Sequence, residues 1–275
     1  MRCLVVADLH YSLPQYDWVV NVAGRYDLVI IAGDHVDLSS QVEGRAQTVV
    51  IRKYLELLRA KTRVITCSGN HDLDSRDEHG EKTARWVSDV THEGVPTDGE
   101  SYRLGDDLIT ICPWWDGPLA RERIDAQLIQ DAAKRVGRWF WVHHAPASNS
   151  PTSWTGSRSF GDDALFEWIQ LHKPDMVFSG HVHQSPFVKG GSWVDRMGET
   201  WVFNVGQHLG APPPHIVFDT DEMEAVWLSA AGIQSVRLDQ PLVRPLPRLE
   251  APPAWFMLQD RADGQTRPRI PAAVD

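Results

Sequence analysis

The chain has 275 residues, 42% hydrophobic and 23% charged, enough for one substantial α/β domain or a domain plus a trailing extension. Its formal net charge of −10 argues against a broad nucleic-acid footprint, which needs a basic face, although bound dications can reverse the sign locally. Cys3, Cys67 and Cys112 lie in or beside apolar runs and read as buried structural thiols rather than a disulfide framework.

The first apolar run, "CLVVA" (3–7), is cut short by Asp8 and is too short for a signal-peptide core. With no run of membrane-spanning length elsewhere, a cytoplasmic setting is expected. "LVIIA" (28–32), "RVITC" (63–67) and "LITIC" (108–112) read as further strands, being short, rich in Val and Ile and bounded by polar or turn residues. Between the second and third, "QVEGRAQTVVIRKYLELLRAK" predicts a helix with Val50, Tyr54, Leu57 and Leu58 on its apolar face. "LARERIDAQLIQDAAKRV" (119–136) predicts another, facing inward through Ile124, Leu128 and Ala132. "RWFWVHH" (138–144) and "DMVFSG" (175–180) continue the strands, with "DALFEWIQLH" helical between them. This alternation predicts an α/β layered fold with helices outside largely buried strands. After Gly180 the texture changes to short strands, "TWVFNVG", "HIVFDT", "EAVWLS" and "SVRLD", closed by hairpins. From Gln240 frequent prolines predict an extended arm or tail, in which "AWFML" is apolar enough to dock on the main body or on a partner.

Polar residues follow the strands in a pattern. "VVADLH" ends in Asp8 and His10, and "IIAGDHVD" in Asp34 with Asp37 beyond it. "TCSGNHD" ends in Asn70, His71 and Asp72, "WVHHAP" in His143 and His144, and "FSGHVH" in His181 and His183. Any one of these alone is an ordinary turn or a core histidine. Five in one chain, each at the same topological place, point to one crevice at the carboxyl ends of the strands. Nitrogen and oxygen donors without thiolates suit Mn, Fe or Zn rather than a closed structural zinc site. Asp8, His10, Asp34, Asn70, one histidine of the pair 143 and 144, His181 and His183 make seven candidate donors, too many for one ion; they fit two ions sharing a bridging carboxylate, the arrangement that clamps the oxygens of a phosphoryl displacement.

The ordered motifs "DLH", "GDHVD", "GNHD", "HH" and "GHVH", with "NVG" (204–206) following, resemble the calcineurin-like metallophosphoesterase superfamily. The resemblance implies a β-sandwich of two mixed sheets flanked by helices over residues 1–239, leaving 240–275 as a Pro-rich arm. It implies one metal held by Asp8, His10 and His183, a second by Asn70, His143 and His181, and Asp34 between them. His143 is preferred to His144 as the first histidine leaving its strand. The implied reaction is in-line attack on phosphorus by a metal-bridging hydroxide. In it His71 faces the leaving oxygen, Asp72 orients His71, and Asp37 supports a ligand.

The loop "APASNSPTSWTGSRSFGDD" offers Arg158 to a phosphate oxygen and Trp154 to a base or ring. Trp114 and Trp115 in "CPWWDGP" are placed to wall the pocket. The expected substrate is a small phosphate ester, nucleotide-type included, monoester or diester. A protein Ser/Thr phosphatase would want arginines near the metal, whereas Leu73 follows "GNHD". A nuclease would want a basic surface, and a non-catalytic scaffold would have lost ligands. No membrane is expected as a partner. Oligomerisation through the tail is left open.

Overall fold

The computed structural model describes residues 1–257. The first third is a parallel βαβαβ unit: β1 (Arg2–Val6), α1 (Leu13–Val22), β2 (Leu28–Ala32), α2 (Gly44–Arg59) and β3 (Arg63–Cys67). A small hairpin, β4 (Ser75–Arg76) and β5 (Lys82–Thr83), and the short helix α3 (Arg85–Asp89) lead out of it. The second unit begins with the hairpin β6 (Ser101–Leu104) and β7 (Asp107–Ile111), then runs through α4 (Pro118–Lys134), β8 (Trp139–Val142), α5 (Asp163–His172) and β9 (Met176–Ser179). There follow β10 (Val194–Met197), β11 (Thr200–Asn204), β12 (His215–Asp219), β13 (Glu224–Ser229), β14 (Gly232–Arg237), β15 (Arg248–Leu249) and α6 (Ala254–Met257).

Two large mixed sheets result, in the orders β15-β14-β13-β12-β1-β2-β3 and β10-β11-β9-β8-β7-β6. β1, β2 and β3 are parallel, as are β7, β8 and β9, while the later strands of the first sheet add by antiparallel hairpins. The sheets face each other through alternate strand residues: Cys3, Val5, Leu28 and Ile30 from one meet Ile109, Phe140, Val142 and Phe178 from the other. The opposite face of the first sheet packs on α1 and α2 through Leu4, Val6, Val29 and Ile31. That of the second packs on α4 and α5 through Trp139, Trp141 and Val177. This is the four-layer sandwich flanked by helices, not an open doubly wound sheet. Both faces of the parallel strands are covered, which explains their near-continuous apolar runs. All three cysteines are buried and unpaired.

Several local readings shift. α2 buries Gln47, Ile51, Leu55 and Leu58, a face one residue round from the expected one, and Leu57 is exposed. In α4 the inward residue of the last turn is Asp131, not Ala132; its carboxylate accepts hydrogen bonds from the Ser101 and Thr110 hydroxyls at 2.5 and 2.6 Å. α1 carries no plain apolar stripe because Gln15 occupies a buried position and bonds the carbonyls of His208 and Gly210. "AWFML" docks on the main body as far as it is described: Trp255 is buried, donates to Glu224, and lies 4.9 Å beneath the Arg2 guanidinium. The rest of the expected arm, 258–275, lies outside the described residues. No helix among the described residues is long and apolar enough to cross a membrane.

Candidate metal centre

The loops leaving β1, β2, β3, β8 and β9 converge. Oxygens and ring nitrogens of Asp8, His10, Asp34 and His183 lie within 4.8 Å of one another, as do those of Asp34, His144 and His181. His10 Nε2 stands 3.1 Å from His183 Nε2, which is 3.1 Å from Asp8 Oδ1. On the other side His144 Nε2 is 3.2 Å from Asp34 Oδ2, and Asn70 Oδ1 is 2.9 Å from His181 Nδ1. Asp34 belongs to both groups.

The donor atoms fit cations better than they fit one another. His144 Nδ1 lies 2.7 Å from the Ala32 carbonyl and His10 Nδ1 3.3 Å from that of Val36. A carbonyl only accepts, so each Nδ1 donates and, in the neutral ring, Nε2 turns a lone pair into the cluster. His144 Nε2 is buried with no hydrogen-bond partner. Donors bonded to one ion at roughly 2.0–2.2 Å stand about 3 Å apart at near-octahedral angles, as these pairs do. The clusters suit divalent cations.

The backbone is bent to this end. Asp8 (φ 54°), His10 (41°), Asp34 (54°) and His181 (67°) all lie in the left-handed region, a conformation costing roughly 1–3 kcal/mol per residue and concentrated at functional sites. Close packing of the loops demands glycine at two points, because a Cβ on Gly69 would collide with the Asp34 carboxylate and one on Gly180 with that of Asp8. The Asp8 carboxylate accepts from the His181 backbone N–H at 3.0 Å, and Asp34 Oδ1 from that of His71 at 2.9 Å.

Electrostatics follow from these contacts. Burial would raise the Asp34 acid, but the charge of the adjacent His144 ring and the His71 backbone N–H hold it well below the usual carboxylate range. Burial disfavours the charged His144 ring, yet Asp34 overrides it and the ring is pushed up to about 9. His181, desolvated and facing His144, is pushed down to about 4. A cation entering the His144 side therefore displaces a proton.

The structure brings together Asp8, His10, Asp34, Asn70, His181 and His183, and replaces His143 by His144. His143 points the other way: Nδ1 meets the Ala145 carbonyl at 2.9 Å, Nε2 is 3.7 Å from Asp162, and the ring faces Trp168. Strand parity is the reason. Trp139 and Trp141 of β8 face the helices while Phe140 and Val142 face the other sheet, so 143 continues outward and 144 inward.

His71 sits at the edge of the cluster, its ring 4.6 Å from that of His10 and its Nε2 4.0 Å from Asp34 Oδ2. Asp72 does not orient it. Its buried carboxylate accepts the backbone N–H groups of His35, Val36 and Gly69 at 3.0, 3.2 and 2.8 Å, tying the loop after β2 to the loop after β3. Asp37 supports no ligand; its carboxylate accepts from the Ser39 N–H within its own turn. Trp115 donates to Asp162 at 2.7 Å and packs on the helix side, while Trp114 flanks the centre, 5.2 Å from the His181 ring and 5.6 Å from that of His144. Arg158 is exposed and turned to its own loop, its guanidinium 4.1 Å over the Phe160 ring.

The sequence model of the calcineurin-like phosphoesterase family matches residues 1–185. No curated protein matches the chain. Among solved structures, TT1561 of Thermus thermophilus is similar at TM-score 0.55 and 14% identity, over 86% of this chain and 98% of that one. The purple acid phosphatase PPD1 from yellow lupin (Lupinus luteus) seeds is similar at TM-score 0.53 and 14% identity, over 88% of this chain and 52% of its own. At such identities the likeness is one of fold.

Proposed function

Since the chain belongs to the calcineurin-like phosphoesterase family, we propose that it hydrolyses a small phosphate ester, nucleotide-type substrates included, at two divalent cations that share Asp34. Asp8, His10 and His183 would hold one cation, and Asn70, His144 and His181 the other. When bound, the pair would offset charge on the phosphate and lower the pKa of water. The observation that carries this reading is the inward turn of the His10 and His144 Nε2 atoms, each ring fixed from behind by a backbone carbonyl, around a buried aspartate within reach of both donor groups.

The chain's own residues supply the rest. The Ala32 and Val36 carbonyls orient the two imidazoles before any cation arrives and keep the proton of each neutral ring on Nδ1, so little ring reorientation is left to binding. Asp72, through three backbone amides, holds the loops of Asp34 and Asn70 in register. His71, partly exposed at the cluster's edge, stands where it can pass a proton to a departing ester oxygen. Trp114 closes the His144 and His181 side against water.

The test is turnover of bis-p-nitrophenyl phosphate and p-nitrophenyl phosphate by manganese-loaded protein. Turnover by the wild type and its loss in Asp34→Asn is expected; a wild type inert toward both, across Mn, Fe and Zn, refutes the reading.

A further inference from the structure

A second feature lies on loops that also carry residues of the metal centre. The loop after β8, which begins beside His144, and the loop after β9, which carries His181 and His183, flank an open groove of about 560 Å³ lined by Ser148, Asn149, Trp154, Gly161, Asp163 and Gly190 among others. Ser148 is four residues from His144, so their Cα atoms are at most about 14 Å apart.

The groove is built rather than incidental. Trp154 Nε1 donates to the Lys189 carbonyl at 3.2 Å, which fixes the indole across the gap between the loops. Gly190 has φ 85°, a backbone conformation that residues with side chains rarely adopt, and a Cβ there would stand a tight 3.3 Å from that nitrogen. Behind, the buried Asn204 amide donates to the Thr152 carbonyl (2.7 Å), the Val182 carbonyl (3.0 Å) and Ser185 Oγ (2.9 Å), locking both loops to β11. Val182 lies between His181 and His183, so groove and metal ligands share one support.

Its chemistry is selective. The Ser148 side-chain oxygen is buried with no hydrogen-bond partner, and the residue is 8% exposed. Burying a hydroxyl unmet costs about 1–3 kcal/mol, recovered only where the wall opens to let a ligand's polar group reach it. The lining includes no cation: Asp163 is its charged member, and Arg158 on the same loop is spent on Phe160. A phosphate is repelled there. A flat, uncharged ring that can stack on an indole and hydrogen-bond a hydroxyl is not.

We propose that this groove is the subsite for the alcohol part of the substrate and accepts a planar, uncharged ring, a nucleobase or an aryl group, while the phosphate goes to the cations. The inference rests on the phosphoesterase reading for its role in turnover, but the groove's binding of a ring does not need metal.

Calorimetric titration of the metal-free full-length protein with adenosine, phenol and ribose separates the cases. Adenosine is expected to bind, Trp154→Ala to weaken it about tenfold, the order of one lost stacking contact, and Trp154→Phe, which keeps a ring, to restore most of it. Ribose should not bind. Phenol binding alongside adenosine identifies ring stacking as the shared basis, and adenosine alone identifies a base-specific site. Equal adenosine binding by wild type and Trp154→Ala, or none by the wild type, overturns the proposal. The two readings fail distinguishably: a wild type that turns over p-nitrophenyl esters without binding rings loses only the groove, and one that binds rings at Trp154 without turnover loses the hydrolase and the groove's role as a substrate subsite, keeping only the ring site.

Discussion

Replacing His144 by glutamine removes the imidazole whose Nε2 lies 3.2 Å from Asp34 while leaving the site nearly filled. Disturbing even an outer partner of a metal ligand typically costs 10–100-fold in affinity, so losing the ligand itself should weaken the adjoining ion by at least about 100-fold. The pH dependence adds a second signature. Asp34 holds the metal-free His144 ring protonated up to about 9, so protons compete with the ion below that pH. Wild-type affinity should climb as pH rises toward 9, and the His144 share of that climb should vanish in the variant. His143→Ala provides the contrast. That ring is buried among Ala145, Asp162 and Trp168, and its loss should leave metal affinity unchanged while costing about 2–4 kcal/mol of stability through the cavity. Manganese titration calorimetry and chemical denaturation of both variants distinguish the roles. Metal lost in His143→Ala and kept in His144→Gln would refute the assignment.

His71→Gln should keep both ions and lose turnover by roughly 10²-fold or more, the usual weight of a general acid. The loss should be smaller for p-nitrophenyl esters, whose leaving group needs no proton, and an equal loss on poor and good leaving groups contradicts the acid role. Asn204→Leu should break three loop-fixing hydrogen bonds, lowering together the stability and the affinity for the two ions that His181 and His183 would hold. Stability lost with metal affinity intact would uncouple the two. His215, buried against Trp18 with its Nδ1 on the Pro213 carbonyl, is pushed by burial down to about 4. The unfolded chain binds a proton there near 6.5 and the folded chain does not. The stability His215 contributes is therefore present above 6.5 and falls by about 3 kcal/mol as pH drops through 4. His215→Phe should flatten that part of the acid-denaturation curve, and an unchanged curve argues against it.

The positions of the clustered donor residues are legible because polar groups at the ends of apolar strands stand out against what precedes them. Asp8, Asp34 and the histidines at 181 and 183 each follow an uninterrupted apolar run. The choice between His143 and His144 is decidable in principle by parity. In β8, however, Trp139 and Phe140 are equally apolar because both sheet faces are covered, so nothing in the run says which face meets the other sheet. The same ambiguity leaves Trp114 and Trp115 indistinguishable as pocket walls. Asp72 misleads for a different reason. Adjacency to His71 suggests a side-chain pair, whereas its partners are backbone amides from two loops, one of them 36 residues away, and amides leave no trace in a sequence. The helix α1 escapes the pattern because Gln15, a polar residue satisfied by distant carbonyls, interrupts its apolar face.

The shared aspartate is tested most directly by soaking crystals in manganese and recording anomalous scattering. Two peaks about 3.5–4 Å apart, one beside Asp8, His10 and His183, one beside Asn70, His144 and His181, with the Asp34 carboxylate between them, are the expected result. A single peak, or two that do not both touch Asp34, would contradict the account.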